Sequence, residues 1–278
     1  MSTPLALLSA AGFGGGDFLG GLATRRTGAV LPVIFLSHVM GLALAIGLLF
    51  VFPSSLTWSA FLAGAGGGVV GAGGFVLLFR GLAVGRMAVV APITAVGAAA
   101  IPLAWGLATG ERPGSLAVIG ALVGVASIPL IARTGDLPDA VAGRSGLLEA
   151  IGAGVAFAVF FIVLDATPAD SGVVPLLAAR ITTVPLFALL AGLGAGSLAL
   201  PRIAVGAAVG SGILDMAANG LFLAATRQGF LALVAVLTSL YPAVTILLAR
   251  FVLDERVGRI QAAGLGLAGI GVVLMAAW

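Results

Sequence analysis

The 278 residues are 61% hydrophobic and only 8% charged, where an ordinary soluble domain carries roughly one-quarter charged residues, so water is not this chain's main solvent and no separate soluble domain has room to exist. All 13 basic residues are arginine, standing singly or in pairs for a net charge of +3, which excludes a phosphate-tracking patch and with it a nucleic-acid partner. The absence of cysteine and a single histidine, His38, exclude disulfides, thiolate metal sites and an all-histidine zinc site; no cofactor or metal is expected.

Apolar stretches long enough to cross a bilayer recur from end to end. Cutting at charges and turn residues predicts spans near 4–24, 29–52, 57–79, 87–109, 114–132, 146–165, 173–196, 203–225, 229–250 and 259–277. The first has no basic region before it and runs to full spanning length, so it reads as a retained helix. The breaks carry Arg25-Arg26, Pro53-Ser54-Ser55, Glu111-Arg112-Pro113, Asp165 to Asp170, Pro201-Arg202, Arg227-Gln228 and Asp254-Glu255-Arg256. The longest loop lies near the chain's midpoint. The fold class is therefore an all-α integral membrane protein of ten transmembrane helices.

A shift of 144 positions lays the second half on the first without gaps: Glu111-Arg112 falls on Glu255-Arg256, Thr94 on Thr238, Gly120 on Gly264, Gly66 on Gly210 and Phe13 on Phe157. This predicts a five-helix repeat in 1–134, a central loop in 135–145 and a second repeat in 146–278. Because each repeat has an odd number of spans, the second enters the membrane from the opposite face, the inverted arrangement common in secondary transporters.

Orientation follows from arginine bias. Arg25, Arg26, Arg80, Arg86, Arg133, Arg144, Arg202, Arg250, Arg256 and Arg259 fall on one side, with Arg112 and Arg227 opposite. The arginine-rich side is then cytoplasmic, and both termini are expected outside it in a multi-pass protein of the cell (inner or plasma) membrane.

The segment Leu237-Thr238-Ser239-Leu240-Tyr241-Pro242-Ala243, continuing through Leu253-Asp254-Glu255-Arg256 to Gln261-Ala262-Ala263-Gly264, resembles the final two helices of EamA-type proteins of the drug/metabolite transporter superfamily. The likeness extends to order, size, helix number and duplication over essentially the whole chain. It implies a carrier of small solutes, often an exporter of amino acids, other metabolites or drugs, with a central cavity lined by both repeats. Many ten-helix relatives keep their termini in the cytoplasm, and the arginine bias here departs from that.

Polar groups at membrane depth are costly unless paired, hydrated or used, which singles out Asp17, His38, Arg180, Asp215 and Asn219. Asp17 precedes Arg25 by eight residues and so lies roughly 10 Å below that face. The run Asp17-Phe18-Leu19-Gly20 through Arg25 resembles the first helix of the small multidrug resistance proteins, and the resemblance aligns Asp17 with their membrane carboxylate, which binds proton and substrate in turn. Desolvation disfavours a bare carboxylate, so a proton and a cationic substrate can compete for it; the alternative is an Asp that hydrogen-bonds a neighbouring helix.

His38 should lie at similar depth, able to pair with Asp17 across the first hairpin or to serve as a packing residue. Arg180 and Asp215 reach comparable depths from opposite faces and predict a buried ion pair, structural or open to a zwitterionic or anionic substrate. Asn219 shares the face of Asp215 one turn on. Thr94 and Thr238, with Tyr241 beside Pro242, occupy matching spans where a proline frees carbonyls to line a cavity, or serve packing alone. Glu111-Arg112 and Glu255-Arg256 read as helix-end anchors. The glycine sets Gly12, Gly16, Gly20 and Gly120, Gly124 read as close-packing surfaces. Two dinucleotide-like runs, Gly66–Gly71 and Gly264–Gly269, lie inside apolar spans and follow no strand, so they are discounted.

These features favour an alternating-access carrier, a proton-coupled exporter of small metabolites or drugs. Its expected partners are the bilayer, a small-molecule substrate and protons, and a functional monomer is the simplest expectation. Uptake or exchange, or a non-transporting structural or regulatory subunit, are the alternatives. An intramembrane enzyme is disfavoured because no HExxH, GxSxG, cysteine or second histidine is present.

Overall fold

In lipid every backbone N–H and C=O must find its partner within the protein, and a helix satisfies them within the segment. The computed structural model describes residues 1–84, 87–131, 146–253 and 258–276, and among these the regular structure is helical. The helices are α1 Ser2–Thr27, α2 Val30–Leu49, α3 Trp58–Val84, α4 Met87–Ala108, α5 Ser115–Ile131, α6 Leu147–Asp165, α7 Val174–Leu190, α8 Arg202–Thr226, α9 Leu231–Thr238, α10 Tyr241–Leu253 and α11 Arg259–Ala276. The predicted central loop, 135–145, and Glu255-Arg256 lie outside the described residues.

The sequence spans and the helices agree to within a few residues except at the ninth, which is two helices. Proline has no N–H, so Pro242 cannot donate to the Thr238 carbonyl one turn back, and the chain breaks at Ser239-Leu240. Its counterpart in the first repeat is Ala98, and α4 runs through that level unbroken. Elsewhere the ends are ordinary. α1 stops at Gly28, whose left-handed φ of 67° lets its N–H reach the Thr24 carbonyl at 2.8 Å.

The packing maps onto itself when the repeats are exchanged. α1 against α8 matches α6 against α3; α2 against α8 matches α7 against α3; α4 against α6 matches α9 and α10 against α1. α2 meets α7, α4 meets α9 and α5 meets α11 across the pseudo-twofold. The symmetry holds at single hydrogen bonds: Thr94 Oγ1 donates to the Ala150 carbonyl at 3.1 Å and Thr238 Oγ1 to the Ala6 carbonyl at 3.4 Å. This is the ten-crossing, inverted-repeat architecture.

Small residues set the helix spacing. Gly12, Gly16 and Gly20 turn one stripe of α1 onto Leu214, Ala218 and Ser211 of α8. Gly68 of α3 and its equivalent Gly212 of α8 bring backbone against backbone: a Cβ on Gly68 would stand 2.6 Å from the Ala179 Cα, and one on Gly212 2.7 Å from the Ser37 Cα. Gly120 and Gly264 do the same between α5 and α11. Meanwhile Leu62, Ile119, Leu122, Ile151, Ile270 and Val273 point outward and are exposed, as a lipid-facing surface requires.

Candidate functional site

A small cavity of about 30 Å³, partly open to the outside, lies where the two repeats meet. Its lining is largely aromatic, with Phe13 of α1, Phe75 of α3 and Phe157, Phe160 and Phe161 of α6 beside Ala98 of α4. Their rings interlock, Phe75 on Phe157 with centroids 5.1 Å apart and Phe13 on Phe161 at 5.9 Å. Phe222 backs the wall, stacked on Phe161 at 4.3 Å. The polar part of the lining is Asp17 of α1, one turn from Phe13, with Asp215 and Asn219 of α8 and Tyr241 at the start of α10.

Each polar group is held by its element. Arg180 of α7 reaches across to donate from Nη2 to Asp215 Oδ2, and the pair is almost entirely buried. Asn219, one helical turn beyond Asp215, donates Nδ2 to Asp215 Oδ1 at 3.2 Å and to its carbonyl at 2.9 Å. The Asp215 carboxylate is therefore compensated on both oxygens. Tyr241 donates its hydroxyl to the Ala91 carbonyl of α4 at 3.3 Å, tying the broken span to the first repeat. Gly14 makes this possible, because a Cβ there would lie 2.5 Å from the Tyr241 carbonyl oxygen.

Asp17 differs from these. It sits between Gly16 and Phe18 near mid-depth of α1, lines the cavity, and makes no hydrogen bond or ion pair among the described residues. Asp215 and Tyr241 are the titratable groups acting on it electrostatically.

The remaining candidates stand apart from the lining. His38 does not pair with Asp17: its Nδ1 bonds the Ile34 carbonyl at 3.0 Å, and its ring is held edge-on between Phe75 and Phe187 at 5.4 and 5.0 Å. It stands behind Phe75, close enough to Arg180 for their charges to interact. Arg180 acts on the cavity only through Asp215. Thr94 and Thr238 are fully buried and spend their hydroxyls on the interhelical bonds described above, so the expectation that they face the cavity is corrected. The aromatic lining carries almost no sequence signal, since Phe is unremarkable in an apolar helix; the one hint is the coincidence of Phe13 with Phe157 under the repeat shift.

At one membrane face the loops are tied together across the repeats. Glu111 caps α9, accepting from the Leu231 and Ala232 N–H groups at 2.7 and 2.9 Å. Gly106 leaves room for that carboxylate, as a Cβ there would collide with Glu111 Oε2. Burial lifts the Glu111 carboxyl above the ordinary carboxylate range, and the two N–H bonds offset this only in part. Arg227 donates to the carbonyls of Asp165 and Pro168 and to Thr167 Oγ1, while Ser55 N–H donates to the Asp170 carbonyl at 2.8 Å.

Residues 144–277 match the EamA-like transporter family. No curated protein matches the chain. A solved crystal structure superposes with a TM-score of 0.69 over 97% of this chain and 98% of its own, at 21% identity, a likeness that shows the fold alone. The second half of the chain is thus similar to the EamA-like transporter family, and the chain is a multi-pass membrane protein whose helices run through both repeats.

Proposed function

We propose that the protein is a secondary active carrier that exports small metabolites or drugs in exchange for protons by alternating access, with Asp17 as the coupling carboxylate. The observation that carries this is an uncommitted carboxylate in a cavity built by both repeats at membrane depth. A half-buried acid at membrane depth with no internal partner is costly to maintain, and a group that binds proton and substrate alternately gives that cost a use. The repeats 1–134 and 146–278 act as the two halves that rock about the cavity, and the arginine bias supports a cell-membrane orientation with both termini outside the cytoplasm.

The test is proton release by the purified protein in weakly buffered detergent on addition of amino acids, amines and cationic drugs, with wild type beside Asp17→Asn. The proposal expects a ligand-dependent proton signal that the variant lacks. A signal of equal size in the variant removes Asp17 from coupling.

A further inference from the structure

Away from the cavity, behind Phe75, we infer that the interface of α2 and α7 holds a hydration site: one ordered water bound by His38 Nε2, Thr183 Oγ1 and Arg180 Nε, a polar tie between the two repeats. The inference begins with burial. His38, Thr183 and Arg180 are 2%, 0% and 5% exposed, yet these three atoms have no hydrogen-bond partner among the described residues. Leaving a buried polar atom unpaired is costly, and three at one interface call for a common partner. Thr183 also departs from its neighbour. Thr182 donates to the Ala178 carbonyl one turn back at 2.9 Å, the ordinary use of a hydroxyl inside a helix, whereas Thr183 makes no such bond.

Helix register brings the three together. α2 and α7 are exchanged by the pseudo-twofold and run antiparallel where they meet. Gly41 faces Arg180, since a Cβ there would stand 2.9 Å from Arg180 Nε. Three residues back along α2 is His38, and three residues on along α7 is Thr183, so these two face each other one turn away. Phe187, a further turn along α7, closes that end against the imidazole at 5.0 Å. Chemistry then selects the ligand. A carbonyl only accepts, so His38 Nδ1 carries the proton it shares with Ile34. Asp215 already answers the Arg180 charge, and a second cation beside it would go unmatched, so the imidazole is neutral and Nε2 offers a lone pair. Arg180 Nε–H can only donate. An anion would therefore meet the Nε2 lone pair, and a metal cation would meet the guanidinium. Water donates to Nε2 and accepts from Nε–H at once, and the Thr183 hydroxyl gives it the third hydrogen bond that a buried water typically makes.

The site stands whether or not the molecule is a carrier, and the experiment reads it directly. His38 is the chain's single histidine, so isotope-labelled histidine gives one pair of ring-nitrogen NMR signals from the full chain in bilayers. The inference expects a proton on Nδ1, none on Nε2, and a cross-peak between Nε2 and a water proton. Thr183→Val should lose that cross-peak, while Thr183→Ser, which keeps the hydroxyl, should retain it. The Nδ1 signal, held by the Ile34 carbonyl, should stay in place in both variants and so separates loss of the water from loss of the fold. Titration with chloride should leave Nε2 unmoved. The wild-type spectrum alone overturns the inference if Nε2 carries the proton or shows no water contact. A cross-peak indifferent to Thr183→Val, or an Nε2 signal that moves with chloride, overturns it as well.

Discussion

The buried pair of Arg180 and Asp215 is stabilising only as a pair. Each charge has left water, and removing one partner strands the other in the membrane interior at a cost of about 3–5 kcal/mol. Arg180→Ala and Asp215→Ala are therefore expected to lower the melting temperature of the purified protein sharply, while Arg180→Met with Asp215→Leu should regain most of the loss. Equal losses in the single and double variants would contradict the pairing. These residues were legible in the sequence because charges stand out in apolar helices, and their depths could be counted from the helix ends. The identity of the free group was not legible. Spacing alone allowed His38 to meet Asp17, and only the packing of Phe75 and Phe187 around the imidazole turns it to Ile34 instead.

Among the elements, α9 depends on a cap that another loop supplies. Glu111→Ala removes the acceptor for two N–H groups of the first turn and should cost about 0.5–2 kcal/mol, whereas Glu111→Gln keeps one acceptor and loses less. Burial raises the Glu111 carboxyl, so the folded protein holds that proton more tightly than the unfolded chain does. This contribution is complete below the unfolded value and is lost as pH rises through the raised one. Relative to Glu111→Gln, wild type should therefore lose thermal stability as pH rises above 4.5, the ordinary value for this carboxyl; a pH-independent difference would contradict it. Helix contacts are equally specific. Gly68→Val and Gly212→Val both force backbones apart, and each should cost about 1–3 kcal/mol or more, measured by thermal unfolding. Nine spans could be drawn from hydropathy because apolar length is a strong signal. The ninth, near 229–250, could be drawn as well, but its division at Ser239-Leu240 could not, since the break is a local event at Pro242 inside an uninterrupted apolar run.

At the scale of the whole molecule, duplication was visible as a plain register of Thr94 on Thr238, and the structure turns that register into two equivalent hydrogen bonds across the repeats. The sequence could not reveal which residues face the cavity, because in a membrane protein lipid-facing and cavity-facing phenylalanines look alike. Orientation is open to direct measurement in this cysteine-free chain. A cysteine at Ser54 should react with an impermeant maleimide from outside intact cells, and one at Ser197 only after permeabilisation; the reverse pattern would move both termini to the cytoplasm. The most direct test of the carrier itself is Ala98→Cys, on the cavity wall, probed with an impermeant thiol reagent from each side of the membrane. Alternating access predicts reaction from both sides, with substrate shifting the two rates in opposite directions. Reaction from one side alone, at a rate indifferent to substrate and pH, would contradict it.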